Sequence, residues 1–370
     1  MKTITGIFIK ILRKYFSTDM LLGAYYYAWY GRPTLSMIGG GIWRWGYTRQ
    51  PELGEYNSRE GQVISRHVDW ARSAGIDFFA VRWVDRESWD DLTWRDYYLK
   101  HSRSSELKFC FNYDAIPALN RFYFHTFPNY DFDELYTPTK TKGEKFLEDF
   151  DYFAKNYFHL PQYLKIEGKP VVFLYNASAF RNSEKYLAKL PPVFLVADAV
   201  CWSGAKISKR NLKFLWETSP KEAVKTIWRA FRRRNIESYE KDFELSKHFR
   251  AITGYNMYSL NRTQNFLANV EEVYKKFRDY AKLKNLYFIP GVMPGYDDRN
   301  QFGLNRAVLE RQEGEFYKNY WQIARKCLDP SLPLVMLTTF NEWHEGTEVE
   351  PSREYGEKYL ELTKRFKEQT

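Results

Sequence analysis

Cysteine is scarce: Cys110, Cys201 and Cys327 are the only three among 370 residues. They are odd in number, far apart and without a CxxC pair, so neither a disulfide framework nor a zinc site is indicated. A reducing, cytoplasmic compartment is the expectation. Long apolar runs are missing too, and no stretch approaches the ~18 apolar residues of a membrane span. The opening MKTITGIFIKILRKYF is interrupted by Lys10, Arg13 and Lys14. That breaks the continuous apolar core a signal peptide needs. No Gly-rich dinucleotide loop follows the first apolar run, and the HExxH spacing of a metalloprotease is absent. No cofactor and no metal are therefore expected. Nor does a Pro- or Ser-rich linker divide the chain, so residues 21–370 read as one domain behind an extension of residues 1–20.

Positive charge and aromatic rings are abundant. Lys and Arg number 56 against 46 Asp and Glu, a formal net charge of +10. The densest basic run, WRAFRRRN at 228–235, follows a helical segment and has no nucleic-acid motif beside it. It reads as a solvated helix face, and no nucleic-acid partner is expected. Aromatic residues make up 19%, with 29 Tyr, 28 Phe and 12 Trp. That exceeds what a core requires and suggests a cleft where flat rings meet a sugar.

Short β-branched and aromatic runs recur at 21–29, 76–84, 107–114, 170–176, 192–198, 251–258, 286–294 and 333–341. Between them VISRHVDWARSAG, GEKFLEDFDYFAKNYF, NVEEVYKKFRDYAKLKN and GEFYKNYWQIARKCL place apolar residues at three- and four-residue spacing, the period of an amphipathic helix. Gly75 and Asn285 stand directly before the next strand, where helices stop. Near-continuous apolar strands alternating with helices mean a parallel sheet covered on its outer face. Eight repeats favour an α/β fold: a single (β/α)8 TIM-type barrel with long βα loops.

In such a barrel the active site forms at the C-terminal strand ends. Polar and aromatic residues gather there: Tyr27 and Trp29, Arg82 and Trp83, Asn112 and Asp114, Tyr175 and Asn176, Asn256 and Tyr258. After the last strand the chain reads TTFNEWHEGTEVEPS, 338–352, with Glu342 and Glu345 three residues apart. In a turn, residues at that spacing lie on one side with Cβ atoms roughly 5–6 Å apart. Retaining glycosidases hold their two carboxyls about 5–5.5 Å apart. Repulsion and burial would raise the proton affinity of one of the pair, so that one could serve as general acid while the other is ionised. The competing interpretation is a solvated polar loop, which fits Glu348 and Glu350 better.

The stretch FNEWHEGTEVEP (340–351) is similar to the FNEWHEGTQIEP signature of glycoside hydrolase family 99, the endo-α-1,2-mannosidase and mannanase family. GAYYYAWYGRP (23–33), AGIDFFAVRWV (74–84), KPVVFLYN (169–176), TGYNMY (253–258), FIPGVMPGYDD (288–298) and RQEGEFY (311–317) also resemble family segments, in order. The resemblance implies a (β/α)8 barrel and retaining hydrolysis of an oligosaccharide or polysaccharide without an enzyme nucleophile. By that resemblance the Glu342 position assists the sugar's own 2-hydroxyl in attacking the anomeric carbon, giving a 1,2-anhydro sugar. The Glu345 position protonates the leaving oxygen and then activates water. Tyr26, Tyr27, Trp83, Tyr258 and Arg311 would line the sugar subsites. Trp29, Asp114, Tyr175, Tyr296, Asn341 and His344 join them from the strand ends and the matched motifs. The chain departs from the family at Arg82, commonly Ser, at NASAF (176–180) and at RNQFG (299–303), where substrate side groups would bind.

Overall fold

The computed structural model describes residues 20–31, 42–120, 130–199, 247–255, 257, 265–302 and 308–369. Tyr258, Asn256, Cys201 and the WRAFRRRN stretch lie outside the described residues. The parallel strands are β1 (Leu21–Tyr26), β2 (Phe78–Trp83), β3 (Lys108–Tyr113), β4 (Lys169–Leu174), β5 (Phe194–Asp198), β6 (Phe249–Thr253), β7 (Tyr287–Ile289), β8 (Gly291–Val292) and β9 (Leu334–Leu337). Their order in the sheet runs β7-β6-β5-β4-β3-β2-β1-β9-β8. β7 pairs with β6 and β8 pairs with β9. Only Pro290 separates β7 from β8, so the two halves form one stave and the ring closes. Pro290 has no N–H for the ladder, but its carbonyl accepts from Met336 N at 3.0 Å. Each of the eight apolar runs of the sequence supplies one stave.

Helices α1 (Gly61–Ser73), α2 (Lys142–Asn156), α3 (Phe266–Lys284), α4 (Glu315–Lys326) and α5 (Lys358–Glu368) lie between or after the strands. Helix α1 buries Val63, Ile64, His67, Val68, Trp70 and Ala71, one stripe at helical spacing. Gly75 and Asn285, at φ +74° and +55°, take the left-handed conformation that ends a helix.

Strand alternation decides which side chains reach the lumen. On β1, Tyr25 points inward against Phe173 and Tyr255. Its neighbour Tyr26 points outward, stacked on Phe79 at 4.5 Å and edge-on to His67 of α1. Gly23 faces inward, and a methyl group there would overlap the Phe78 ring and the Met336 sulfur. The missing side chain leaves the lumen to its two neighbours. Gly23→Ala is expected to cost ~1–3 kcal/mol by overpacking, read as a lower urea midpoint. An unchanged midpoint would contradict that packing.

Candidate active site

The loop after β9 folds back on itself and is tied to the segment after β1. Thr339 N donates to Thr347 O at 2.9 Å and Val349 N to Thr339 O at 3.1 Å. Asn341 bridges both backbone groups of Tyr27, accepting from its N–H at 2.8 Å and donating to its carbonyl at 2.9 Å. The Tyr30 hydroxyl donates to Asn341 O at 2.8 Å and accepts from Trp343 N at 3.1 Å. Glu342 N donates to Thr339 Oγ1 at 2.8 Å, and His344 N donates to Glu342 Oε1 at 3.2 Å. These bonds fix Glu342 at the mouth of the barrel, 3% exposed, while Glu345 stays partly open to solvent.

Burial pushes the Glu342 carboxyl well above its ordinary value of 4.5. The Glu345 charge adds to that rise, and the His344 N–H and Arg82 oppose it. Residue spacing alone could not show that Glu342 is the deeper of the two. Beside the pair, the hydroxyls of Tyr27 and Tyr255 meet at 2.5 Å. Burial, then the charges of Glu342 and Glu345, hold Tyr27 far above the usual phenol range. Both rings therefore act as neutral hydrogen-bonding groups at physiological pH. Tyr175 stands edge-on to Tyr255 at 5.5 Å, and Trp29 lies against Tyr27 at 4.4 Å.

His344 is enclosed by Trp29, Tyr30, Trp43 and Trp45. Its Nδ1 lies 2.7 Å from Gly46 O, which can only accept, so Nδ1 carries the proton. Burial pushes its pKa down to about 4, so the imidazole is neutral. Across the mouth, Arg82 from β2 lies 4.7 Å over Trp29. Its Nε donates to Asp114 Oδ2 at 2.9 Å and its NH1 to Asp90 Oδ1 at 3.3 Å.

Five residues expected to contact sugar are engaged within the protein. Tyr26 and Trp83 sit one residue out of phase with the lumen-facing set. The Tyr26 hydroxyl meets His67 Nδ1 at 2.9 Å, and Trp83 packs on Phe153 while donating to Asp91 Oδ1 at 3.0 Å. Arg311 is buried beneath the loop, bonded to Gly346 O, Glu348 O and Glu348 Oε1. Asn341 is consumed by Tyr27, and the buried Tyr296 donates to Asp298 Oδ2 at 2.7 Å. Glu348 and Glu350 are not on a solvated connection: they are 1% and 3% exposed. Glu348 holds Arg49 and Arg311, and Glu350 holds His67, Tyr56 and Trp343. The site residue missed in sequence is Tyr255. Its signal was present in TGYNMY, two residues beyond β6 and in phase with the inward Thr253, whose hydroxyl donates to Ile289 O.

The buried Glu342 carboxyl makes stability depend on pH in a defined direction. Below the ordinary glutamate value both folded and unfolded chains carry its proton. Above it the unfolded chain ionises first, and that residue's contribution is lost as pH rises through the raised folded value. Glu342→Gln is therefore expected to match the wild type in denaturant midpoint near pH 4 and to exceed it increasingly from pH 5 to 8. A gap that narrows as pH rises would contradict the burial.

A closed (β/α)8 barrel with crowded carboxyls and aromatic walls at its C-terminal rim has the construction of glycoside-processing barrels. The chain belongs to the family described as Glycosyltransferase WbsX, whose model matches residues 48–363. It is also similar to the glycoprotein endo-alpha-1,2-mannosidase of Mus musculus, 24% identical over 93% of this chain and 71% of the relative. A glycoprotein endo-alpha-1,2-mannosidase-like protein of Homo sapiens is 23% identical over 94% and 75%. The solved GH99 endo-alpha-mannosidase of Bacteroides thetaiotaomicron superposes with a TM-score of 0.61 at 18% identity, over 95% of this chain and 97% of that one. A structure described as a glycoside hydrolase-like protein gives 0.64 at 20% identity. The family-99 likeness carried by the motifs thus extends through the fold.

Proposed function

We propose that the protein is a retaining, endo-acting glycoside hydrolase of α-mannoside-like glycans, working through a 1,2-anhydro sugar. The observation that carries this reading is the position of Glu342 and Glu345 on one braced loop at the barrel mouth, one buried and one partly open. The names of the relatives support the substrate class. In the first step Glu342 takes the proton of the 2-hydroxyl as its oxygen attacks the anomeric carbon, and Glu345 gives its proton to the leaving oxygen. In the second, Glu345 takes a proton from water as that water attacks the anomeric carbon. The epoxide bond breaks and Glu342 returns the proton to O2. Two inversions give net retention. A carboxylate raised by burial is a stronger base than an ordinary glutamate, which suits removal of a hydroxyl proton.

A second reading is a polysaccharide-assembly or glycan-binding protein without hydrolysis, favoured by the family's description and by Arg82 at the rim. Two crowded carboxyls would repel the phosphates of an activated sugar donor, and a pure binder has no use for them. The discriminating experiment is a glycan array followed by sizing of the products from bound glycans. Internal cleavage to oligosaccharides is expected; tight binding with intact glycan after days would favour the second reading.

A further inference from the structure

The mouth of the barrel carries a cation beside its carboxyls. Arg82 alternates with the outward Trp83 and so faces the lumen side at the end of β2. Its side chain is 15% exposed, as is 16% of Asp114. Its guanidinium covers Trp29, which lies against Tyr27, whose hydroxyl pairs with Tyr255. Arg82, Trp29 and Tyr27 form one continuous wall that leads to Glu342, and the Arg82 charge is felt there.

A lone arginine in a cleft suggests an anionic ligand, but the surroundings argue otherwise. Asp114 answers the charge at 2.9 Å, and Asp90 adds a second carboxyl at 3.3 Å. Glu342 and Glu345 stand further along the same wall. A phosphate, sulfate or uronate would meet an arginine already neutralised and up to four acidic groups. An uncharged sugar meets something better suited to it. Guanidinium N–H groups only donate and a carboxylate only accepts, so the pair sets donors beside acceptors over an aromatic face. Two neighbouring ring hydroxyls can accept from one and donate to the other. Asp114 is itself held, accepting from Ile116 N at 3.2 Å, so little ordering remains for binding to impose.

We infer that the Arg82–Asp114 pair is a specificity fork for two adjacent hydroxyls of an uncharged hexose bound beside Glu342, with Trp29 backing the guanidinium. This rests on the glycan reading above and narrows it to neutral, unsubstituted sugar at that unit.

The test uses the full chain and a neutral α-1,2-linked mannan oligosaccharide, its mono-deoxy analogues at the unit next to the cleaved bond, and the same oligosaccharide bearing a phosphate there. In the wild type, deoxygenation at two neighbouring positions should each lower kcat/KM ~10–100-fold, mainly through KM, as expected for hydroxyls bonded to charged groups. Asp114→Asn and Arg82→Lys should each shrink one of those penalties to a few-fold. Deoxy penalties unchanged in both variants would overturn the fork, as would preference for the phosphorylated substrate. If neither variant folds, the wild-type series decides: no penalty at any adjacent pair overturns the inference. If no oligosaccharide is cleaved, calorimetry with the same series separates the two claims. Diol-dependent binding keeps the fork and sinks hydrolysis; no binding of any member sinks both.

Discussion

Glu342→Gln is expected to lose cleavage of mannan oligosaccharides and of α-mannosyl fluoride alike, whereas Glu345→Gln keeps the first step with the fluoride. The difference follows from what each carboxyl does in the proposed first step. Glu342 relieves the 2-hydroxyl of its proton, and every substrate needs that whatever its leaving group. Glu345 protonates the departing oxygen, and fluoride departs with little such help. A positioned acid or base contributes ~10²–10⁴-fold, so each variant should fall by that factor on the oligosaccharide. With the fluoride, Glu345→Gln should show a burst of fluoride ion and then slow turnover, because opening the anhydro sugar needs the same residue as base. The acid limb of the wild-type profile should follow Glu342, since only its ionised form can act. Burial should therefore place that limb above the range of an exposed glutamate. Fluoride cleavage that survives only in Glu342→Gln would reverse the two roles.

The second large effect concerns stability. Glu348 is 1% exposed and its Oε1 is shared by Arg49 Nε at 2.8 Å and Arg311 NH2 at 2.5 Å. Both guanidiniums also clamp the Gly346 carbonyl, one residue beyond Glu345. Gly346 adopts φ +62°, and an added Cβ would lie 3.0 Å from Asp297 O, so the loop can pass there only as glycine. Burial already pushes Arg311 down to about 10. Glu348→Ala would leave the buried Arg311 guanidinium facing that of the partly buried Arg49 without a counter-charge, at a cost of ~3–5 kcal/mol. The denaturant midpoint should fall accordingly. Adding Arg311→Met should recover part of the loss, because one of the opposed charges is then gone. A midpoint within ~0.5 kcal/mol of wild type, the range of an ordinary surface change, would contradict the buried triad.

These two residues also show where the sequence was readable. The eight apolar runs matched the eight staves because a strand buried on both faces writes itself as a continuous apolar string. Gly75 and Asn285 were legible as helix stops, since the left-handed turn selects them. NEWHEG was legible as a rim stretch because it follows the last strand. Less legible was which way each ring pointed. In AYYYAW a shift of one residue exchanges lumen for outer layer, so Tyr26 was taken with Tyr27 and Trp83 with Arg82. Glu348 and Glu350 looked solvated because their partners are remote in the chain: Arg49, Tyr56 and His67 lie hundreds of residues away, and Arg311 stands 37 residues before Glu348. Nothing local in TEVEPS announces a buried ion pair. The Asp114 counter-charge of Arg82 was hidden likewise, since it stands just past the neighbouring strand β3.

The most direct measurement is the paired rate of internal cleavage of an α-1,2-mannan oligosaccharide by the wild type and by Glu345→Gln, with the anomeric form of the product followed by NMR. The account predicts shorter oligosaccharides released first as the α-anomer, with the variant ~10²–10⁴-fold slower. Equal residual rates in the two proteins, or a first-formed β-anomer, would contradict it.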